Sequence, residues 1–228
     1  ITTVSRSPKA DDFAQHLTQD IHQLDLSQIS LVDAVYVLLA PPRNTSLSSV
    51  EAYMQTYVNS VQPIVRALND HPVKRIVVVS STRVYGENHG AVINDDSPTI
   101  PCDEQGYLLL KMEELWQQAY PNECVIVRPT GIYGTSSARM VKLAEVTKTY
   151  SNIHWSNRIH IYDLANFLAH LLHVEHPEKS YICTNNQPQP LHEMILKIQR
   201  DLNLPELVLQ SQNETGKKIF ADNMVKSG

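Results

Sequence analysis

Tyr107 and Lys111 are four residues apart, and no other Tyr-x-x-x-Lys occurs in the 228 residues. On a helix that spacing puts both side chains on one face. A free phenol has a pKa of about 10, too high for proton exchange at neutral pH. A neighbouring ammonium favours the phenolate and lowers that value. Such a tyrosine becomes a general acid/base toward a hydroxyl or carbonyl. Upstream, Ser80-Ser81-Thr82-Arg83-Val84-Tyr85-Gly86 follows an apolar run and offers hydroxyls that can hold the same substrate oxygen. Downstream, Arg128-Pro129-Thr130-Gly131-Ile132-Tyr133-Gly134 follows another such run. No side chain carries a hydride, so the redox half of this chemistry belongs to a cofactor. An amphipathic helix without any chemistry could also carry a Tyr and a Lys at this spacing.

These residues need elements to position them. Runs at 33–40, 75–80 and 124–128 are apolar without alternation, which suits strands buried on both faces of a parallel sheet. Ile1 to Val4 and Ile21 to Leu26 are shorter strand candidates. Ser48 and Glu51 have capping-box spacing, and the helix behind them runs toward Leu68 with Pro63 interrupting it. A second helix spans about Gln105 to Tyr120, with Leu108, Met112, Leu115 and Ala119 as one stripe and Leu109, Trp116 and Tyr120 widening it. Strands alternating with helices predict βαβ units and an α/β fold. In such a sheet the carboxyl ends of the strands line the ligand crevice. The chain past about Ser180 is less regular and reads as a smaller lobe ending in a helix from about Leu191 to Leu202.

Bulk properties narrow the class. The chain is 42% hydrophobic and 19% charged, as in an ordinary globular protein. A net charge of -5 gives no reason to expect nucleic acid or an anionic membrane as partner. Cys102, Cys124 and Cys183 show no metal-ligand spacing and no disulfide framework, so no metal site and a reducing, cytoplasmic location are expected. No apolar run reaches the roughly 18 residues of a membrane span. The two broad apolar helices near 50–69 and 105–120 suggest a homodimer.

Taken together, Tyr57-Val58-Asn59-Ser60-Val61, the stretch from Lys74 to Gly86, Arg128 to Gly134 and Arg158 to Ala165 resemble the extended short-chain dehydrogenase/reductases. These are the NAD(P)-dependent epimerase/dehydratase family, and the likeness is strongest to bacterial nucleoside-diphosphate-sugar-epimerase-like proteins. The resemblance implies a Rossmann-like, doubly wound parallel sheet with a small C-terminal substrate lobe. The dinucleotide domain would span 1–134 with 159–175 returning to it, and the lobe 135–158 and 176–228. Ser81 would be the catalytic hydroxyl, Tyr107 the acid/base, and Lys111 the holder of the nicotinamide ribose. Thr82, Arg158 and His160 would touch substrate, although a surface turn entering a helix would explain the last two equally well. Asn59 matches an asparagine of the family, or is simply a polar residue at a helix kink. Asp25 would face the adenine, Ala40 and Pro41 would flank the cofactor, and Pro129 and Thr130 would lie along the nicotinamide.

Arg6 follows the first strand, where an acidic residue would bind the ribose of NAD. An arginine suits the 2′-phosphate of NADP, so NADP is expected ahead of NAD. The expected activity is oxidoreduction or epimerisation at a hydroxyl/carbonyl group, with a nucleotide sugar as the substrate that the resemblance implies. The alternative is a non-catalytic NADP-binding redox sensor or scaffold. One departure stands out: no glycine precedes Gly86, so the Gly-rich phosphate turn of the family is not in the sequence. The expectation is that roughly 25–30 residues forming one strand-turn-helix unit precede Ile1. The apolar Leu108-Leu109-Leu110 after Asp103-Glu104-Gln105-Gly106 is also unusual, which bears on the substrate more than the cofactor.

Overall fold

The computed structural model describes residues 1–9, 14–42 and 45–228. The chain forms two compact units, one of residues 1–79 and 103–125, the other of 80–102 and 126–228.

In the first unit, strand Thr2–Ser5 pairs in parallel with Gln15–Thr18, Thr2 opposite Gln15. Ala34–Val37 pairs in parallel with Arg75–Val79, from Ala34 opposite Arg75 to Val37 opposite Val78. Ile76, Val77 and Val78 are fully buried, as an apolar run without alternation requires. The backbone N–H of Ile76 donates to Glu123, one residue before the strand Cys124–Pro129.

Helices pack beside these strands. Ser48 and Glu51 form the expected capping box, with Ser48 Oγ accepting from the Glu51 N–H and the Glu51 carboxylate accepting from the Ser48 N–H. The helix Ser49–Tyr53 runs into a π-helical turn, Met54–Val58, closed by the Asn59 N–H on the Met54 carbonyl. A new helix, Val61–Ala67, then begins. Pro63 explains the break: it has no N–H for the Asn59 carbonyl four residues back, and in a first turn that donor is not needed. The third helix, Glu104–Ala119, is capped by Asp103, whose side chain accepts from the Gly106 N–H. Its buried face is Leu109, Met112, Glu113 and Trp116, so the stripe through Leu108 and Leu115 is only a half-buried flank.

One expected strand is not formed. Ile21–Gln23 is a 3-10 turn instead of the start of a strand from Ile21 to Leu26. Local polar side chains decide this. Asp20 accepts from the His22 N–H, and Gln19 bonds both the N–H and the carbonyl of Asp25. The extended segment is the preceding Gln15–Thr18.

In the second unit, Ser180–Cys183 pairs in parallel with the strand Cys124–Pro129 over residues 126–129. Ser80 continues the serine strand, its N–H donating to Val127 at 2.7 Å. A second sheet is mixed. Glu214–Ile219 lies parallel to both His89–Ile93 and Ile153–Ser156, and Gln189–Pro190 is antiparallel to the latter. Gly131–Tyr133 pairs with Arg158–His160, and Thr149–Tyr150 with Val208–Leu209, both in parallel. Helix Leu191–Asp201 inserts Ile195 between Ala144 and Leu207 to form a small core.

Candidate active site

Tyr107 and Lys111 lie one turn apart on the helix Glu104–Ala119, on the face opposite Leu109, Met112 and Trp116. Tyr107 is 57% exposed. The Lys111 ammonium is 3.3 Å from the Glu114 carboxylate and largely solvent-exposed. Neither residue is needed to fill the core. Both side chains lie on the exposed face of the helix.

Of the cofactor positions proposed for the first unit, Arg6, Ala40 and Pro41 follow the carboxyl ends of parallel strands. Arg6 is exposed and directly follows Thr2–Ser5. His16 bridges Thr3 Oγ1 at 2.9 Å and the Ser7 carbonyl at 3.0 Å, which fixes the turn that carries Arg6. Asp25 does not end a strand, because the strand Ile21 to Leu26 is absent. It sits in an exposed turn, where the Ser27 N–H and hydroxyl hold its carboxyl below the usual range. Ala40 and Pro41 lie past the end of Ala34–Val37. The Tyr57 hydroxyl donates to the Leu39 carbonyl beside them at 3.4 Å. Burial, with Tyr53 adding to it, pushes the Tyr57 phenol up to about 12, so Tyr57 stays a neutral donor. Asn59 is exposed at the helix break, its N–H closing the π turn.

The second unit holds the remaining candidates. Ser81 caps the 3-10 turn Thr82–Val84, its Oγ accepting from the Arg83 N–H at 3.2 Å. Thr82 opens that turn and its carbonyl accepts from the Tyr85 N–H. Pro129 ends its strand and is buried. Thr130 follows, with its N–H on the Cys183 carbonyl and its hydroxyl 3.2 Å from that of Thr184. Arg158 and His160 belong to a strand that runs straight into the helix Ile161–His170. His160 caps that helix through Nδ1 on the Tyr162 N–H and meets Tyr133 edge-on, ring centres 5.2 Å apart. Arg158 is half-buried, and desolvation holds its guanidinium below the usual value.

Several structural residues escaped the sequence reading. The Arg128 guanidinium donates to the Tyr85 hydroxyl at 2.8 Å and lies over its ring, both residues being buried. The charge that ends the run Cys124-Val125-Ile126-Val127-Arg128 was the available signal, since buried strands rarely hold one without a partner. Asn157 clamps the Lys217 carbonyl and the Ile219 N–H, and Asp95 accepts from the N–H groups of Ile182 and Asn223. No sequence pattern marks either.

Known proteins supply the class. The model of the NAD dependent epimerase/dehydratase family matches residues 1–181, and the chain belongs to that family. It is similar to protein YeeZ of Escherichia coli K12, 29% identical over 144 residues, which cover 63% of this chain and 50% of that protein. It is also similar to an Escherichia coli O157:H7 enzyme named N-acetyl-alpha-D-glucosaminyl-diphospho-ditrans,octacis-undecaprenol 4-epimerase. That match is 23% identical over 196 residues, 80% of this chain and 55% of the enzyme. The chain thus spans about half the length of these curated relatives.

Among solved structures, a Methylobacillus flagellatus protein described as an NAD-dependent epimerase/dehydratase is 26% identical with a TM-score of 0.74, covering 100% of this chain and 82% of that one. The human epimerase family protein SDR39U1, solved with NADPH, is 19% identical with a TM-score of 0.79, covering 100% of this chain and 84% of that one. The fold is the Rossmann-like α/β fold of these epimerases, built on parallel strands. Among the described residues no helix is long and apolar enough to cross a membrane, and no group of side chains is arranged to hold a metal ion.

Proposed function

We propose that the protein is an NADP-dependent oxidoreductase or epimerase of the extended short-chain type, acting on a hydroxyl/carbonyl group of a nucleotide sugar. The observation that carries this reading is the exposed pair Tyr107 and Lys111, one helical turn apart, on a helix whose other face is the core. Tyr107 exchanges the proton of the substrate hydroxyl. Lys111 holds the nicotinamide ribose and favours the phenolate. Ser81 orients the substrate oxygen, with Thr82, Arg158 and His160 as further substrate contacts and residues 135–158 and 176–228 as the substrate lobe.

The dinucleotide supplies hydride acceptance and donation when bound. The first unit fits such a group: Arg6 is an exposed cation at a strand's carboxyl end, where it can pair with a 2′-phosphate. Asp25, Ala40 and Pro41 are accessible beyond the neighbouring elements, and Pro129 and Thr130 end a strand in the second unit. NADPH in the human relative and NAD in a UDP-glucose-bound relative, MoeE5, show that both cofactors occur on this fold. Arg6 is the reason for choosing NADP here.

The test is a fluorescence titration of the full-length protein with NADPH and with NADH, followed by turnover of a panel of nucleotide sugars. Tighter binding of NADPH, lost in Arg6→Asp, is the expected result. Tyr107→Phe should lower turnover about 10²–10⁴-fold and leave NADPH affinity unchanged. Failure of the folded protein to bind either dinucleotide would overturn the reading. Binding without turnover of any panel member, in wild type and Tyr107→Phe alike, would instead indicate a redox sensor or scaffold.

A further inference from the structure

The exposed Arg6 makes no hydrogen bond or ion pair with any described residue. Its direction is therefore set by its backbone, and that backbone is pinned on both sides. On one side Ser5 belongs to the paired strand Thr2–Ser5. On the other, the Ser7 carbonyl takes two bonds. The Ser5 hydroxyl donates to it across the bend at 2.7 Å, and His16 Nε2 meets it at 3.0 Å. His16 comes from the neighbouring parallel strand Gln15–Thr18, directly opposite Thr3. Alternate residues of a strand share a face, so Thr3 and Ser5 turn toward the same imidazole. Its Nδ1 lies 2.9 Å from Thr3 Oγ1, and its Nε2 also lies 3.4 Å from Ser5 Oγ.

A carbonyl oxygen only accepts, so Nε2 carries the ring hydrogen, and Nδ1 of the neutral ring accepts from the Thr3 hydroxyl. One rigid ring thus ties the middle of the strand Thr2–Ser5 to the bend beyond its end. These bonds build no core: Thr3, Ser5 and His16 are half-buried, and Arg6, Ser7, Pro8 and Lys9 are exposed. What the imidazole fixes is the point from which the Arg6 side chain departs. A cation held in place before its anion arrives forfeits less conformational entropy on binding than one on a loose segment.

We propose that His16 is a positioning residue for the choice of dinucleotide: through the Ser7 carbonyl it holds Arg6 at the carboxyl end of Thr2–Ser5, and so sets the preference for a 2′-phosphate over a 2′-hydroxyl. This rests on the reading of Arg6 given above. The role of His16 is indirect. Arg6 pairs with the phosphate, and the imidazole holds the bend that carries Arg6.

The experiment is a calorimetric titration of the full-length protein with NADPH and with NADH, in wild type and variants. His16→Ala should weaken NADPH binding about tenfold, the cost of ordering one residue's backbone, and change NADH binding by less than about twofold. Ser5→Ala removes the other donor to the Ser7 carbonyl and leaves the strand pairing in place. It should give the same selective loss at about threefold, one net hydrogen bond. In an Arg6→Ala background, His16→Ala should cost NADPH nothing further. Equal losses for NADPH and NADH would mark a purely structural role and overturn the proposal. Unchanged NADPH affinity in His16→Ala, or a loss that persists in full without Arg6, would overturn it too. If the wild type binds NADPH no more tightly than NADH, or keeps its preference in Arg6→Ala, the assignment of Arg6 itself fails and the proposal falls with it.

Discussion

Gly134→Ala tests whether His160 stands where the structure places it. Gly134 has φ of +116°, and a Cβ built there would lie 2.6 Å from His160 Cδ2. Comfortable contact needs about 3.5 Å, so the ring must retreat by about 1 Å. The backbone adds its own cost, about 1–3 kcal/mol for a side chain in a region that only glycine occupies readily. Retreat of the ring breaks the cap that His160 Nδ1 places on the Tyr162 N–H, worth about 0.5–2 kcal/mol. The single variant should therefore lose about 2–4 kcal/mol. His160→Ala alone loses only the cap, about 0.5–2 kcal/mol. In the double variant there is no ring to displace, so only the backbone strain and one lost cap remain. The double should then be less destabilised than the sum of the singles, by about 1 kcal/mol. Urea unfolding followed by tryptophan fluorescence measures this, with the midpoint moving and the slope constant. Additivity within about 0.3–0.5 kcal/mol would refute the contact.

Three other outcomes follow from the same geometry. Asp95→Ala leaves the N–H groups of Ile182 and Asn223 without their acceptor and should cost about 2–5 kcal/mol in urea unfolding. Desolvation raises the Asp95 pKa despite those bonds, so the folded state holds its proton more tightly than the unfolded chain does. Its contribution is thus complete below the unfolded value and declines as pH rises through the folded one; the wild-type advantage over Asp95→Ala should narrow as pH rises above the ordinary carboxylate value of about 3.9. Gln199→Leu leaves the Ala144 and Thr147 carbonyls and the Leu207 N–H without their Gln199 partner and should lower stability by about 3 kcal/mol while broadening NMR signals from Thr147 to Asn152. Ser48→Ala removes the capping box and should cost about 1 kcal/mol, with Ser48→Asp restoring most of it.

Much of the architecture was readable because it depends on patterns that local physics enforces. The run Arg75 to Val79 has no polar alternation and so must be covered on both faces, and Ser48 with Glu51 can hardly serve except as a helix start. The reading failed where side chains redirect the backbone. Ile21 to Leu26 has strand-like composition, yet Gln19, Asp20 and Asp25 satisfy the local peptide groups and make a turn cheaper than an extended segment. Asn157 and Asp95 act through partners 60 to 128 residues away, and no short-range pattern encodes such a separation.

The family motifs divide into two kinds once their contacts are known. In Ser81 to Gly86, nearly every recognisable feature has a structural task. Ser81 caps a turn, Tyr85 receives the buried Arg128, and the Gly86 N–H bonds Ile100 at a point where a Cβ would lie 2.9 Å from the Cys102 nitrogen. That spacing would be required of this fold with or without chemistry. Tyr107 and Lys111 are different. The ion pair of Lys111 with Glu114 is exposed and contributes at most about 0.5 kcal/mol, and Tyr107 fills no core. Replacing both should leave stability within about 0.5 kcal/mol of wild type. Residues that the fold does not need are the ones whose presence argues for function, and on that ground the proposed chemistry rests on the tyrosine helix more firmly than on the serine turn.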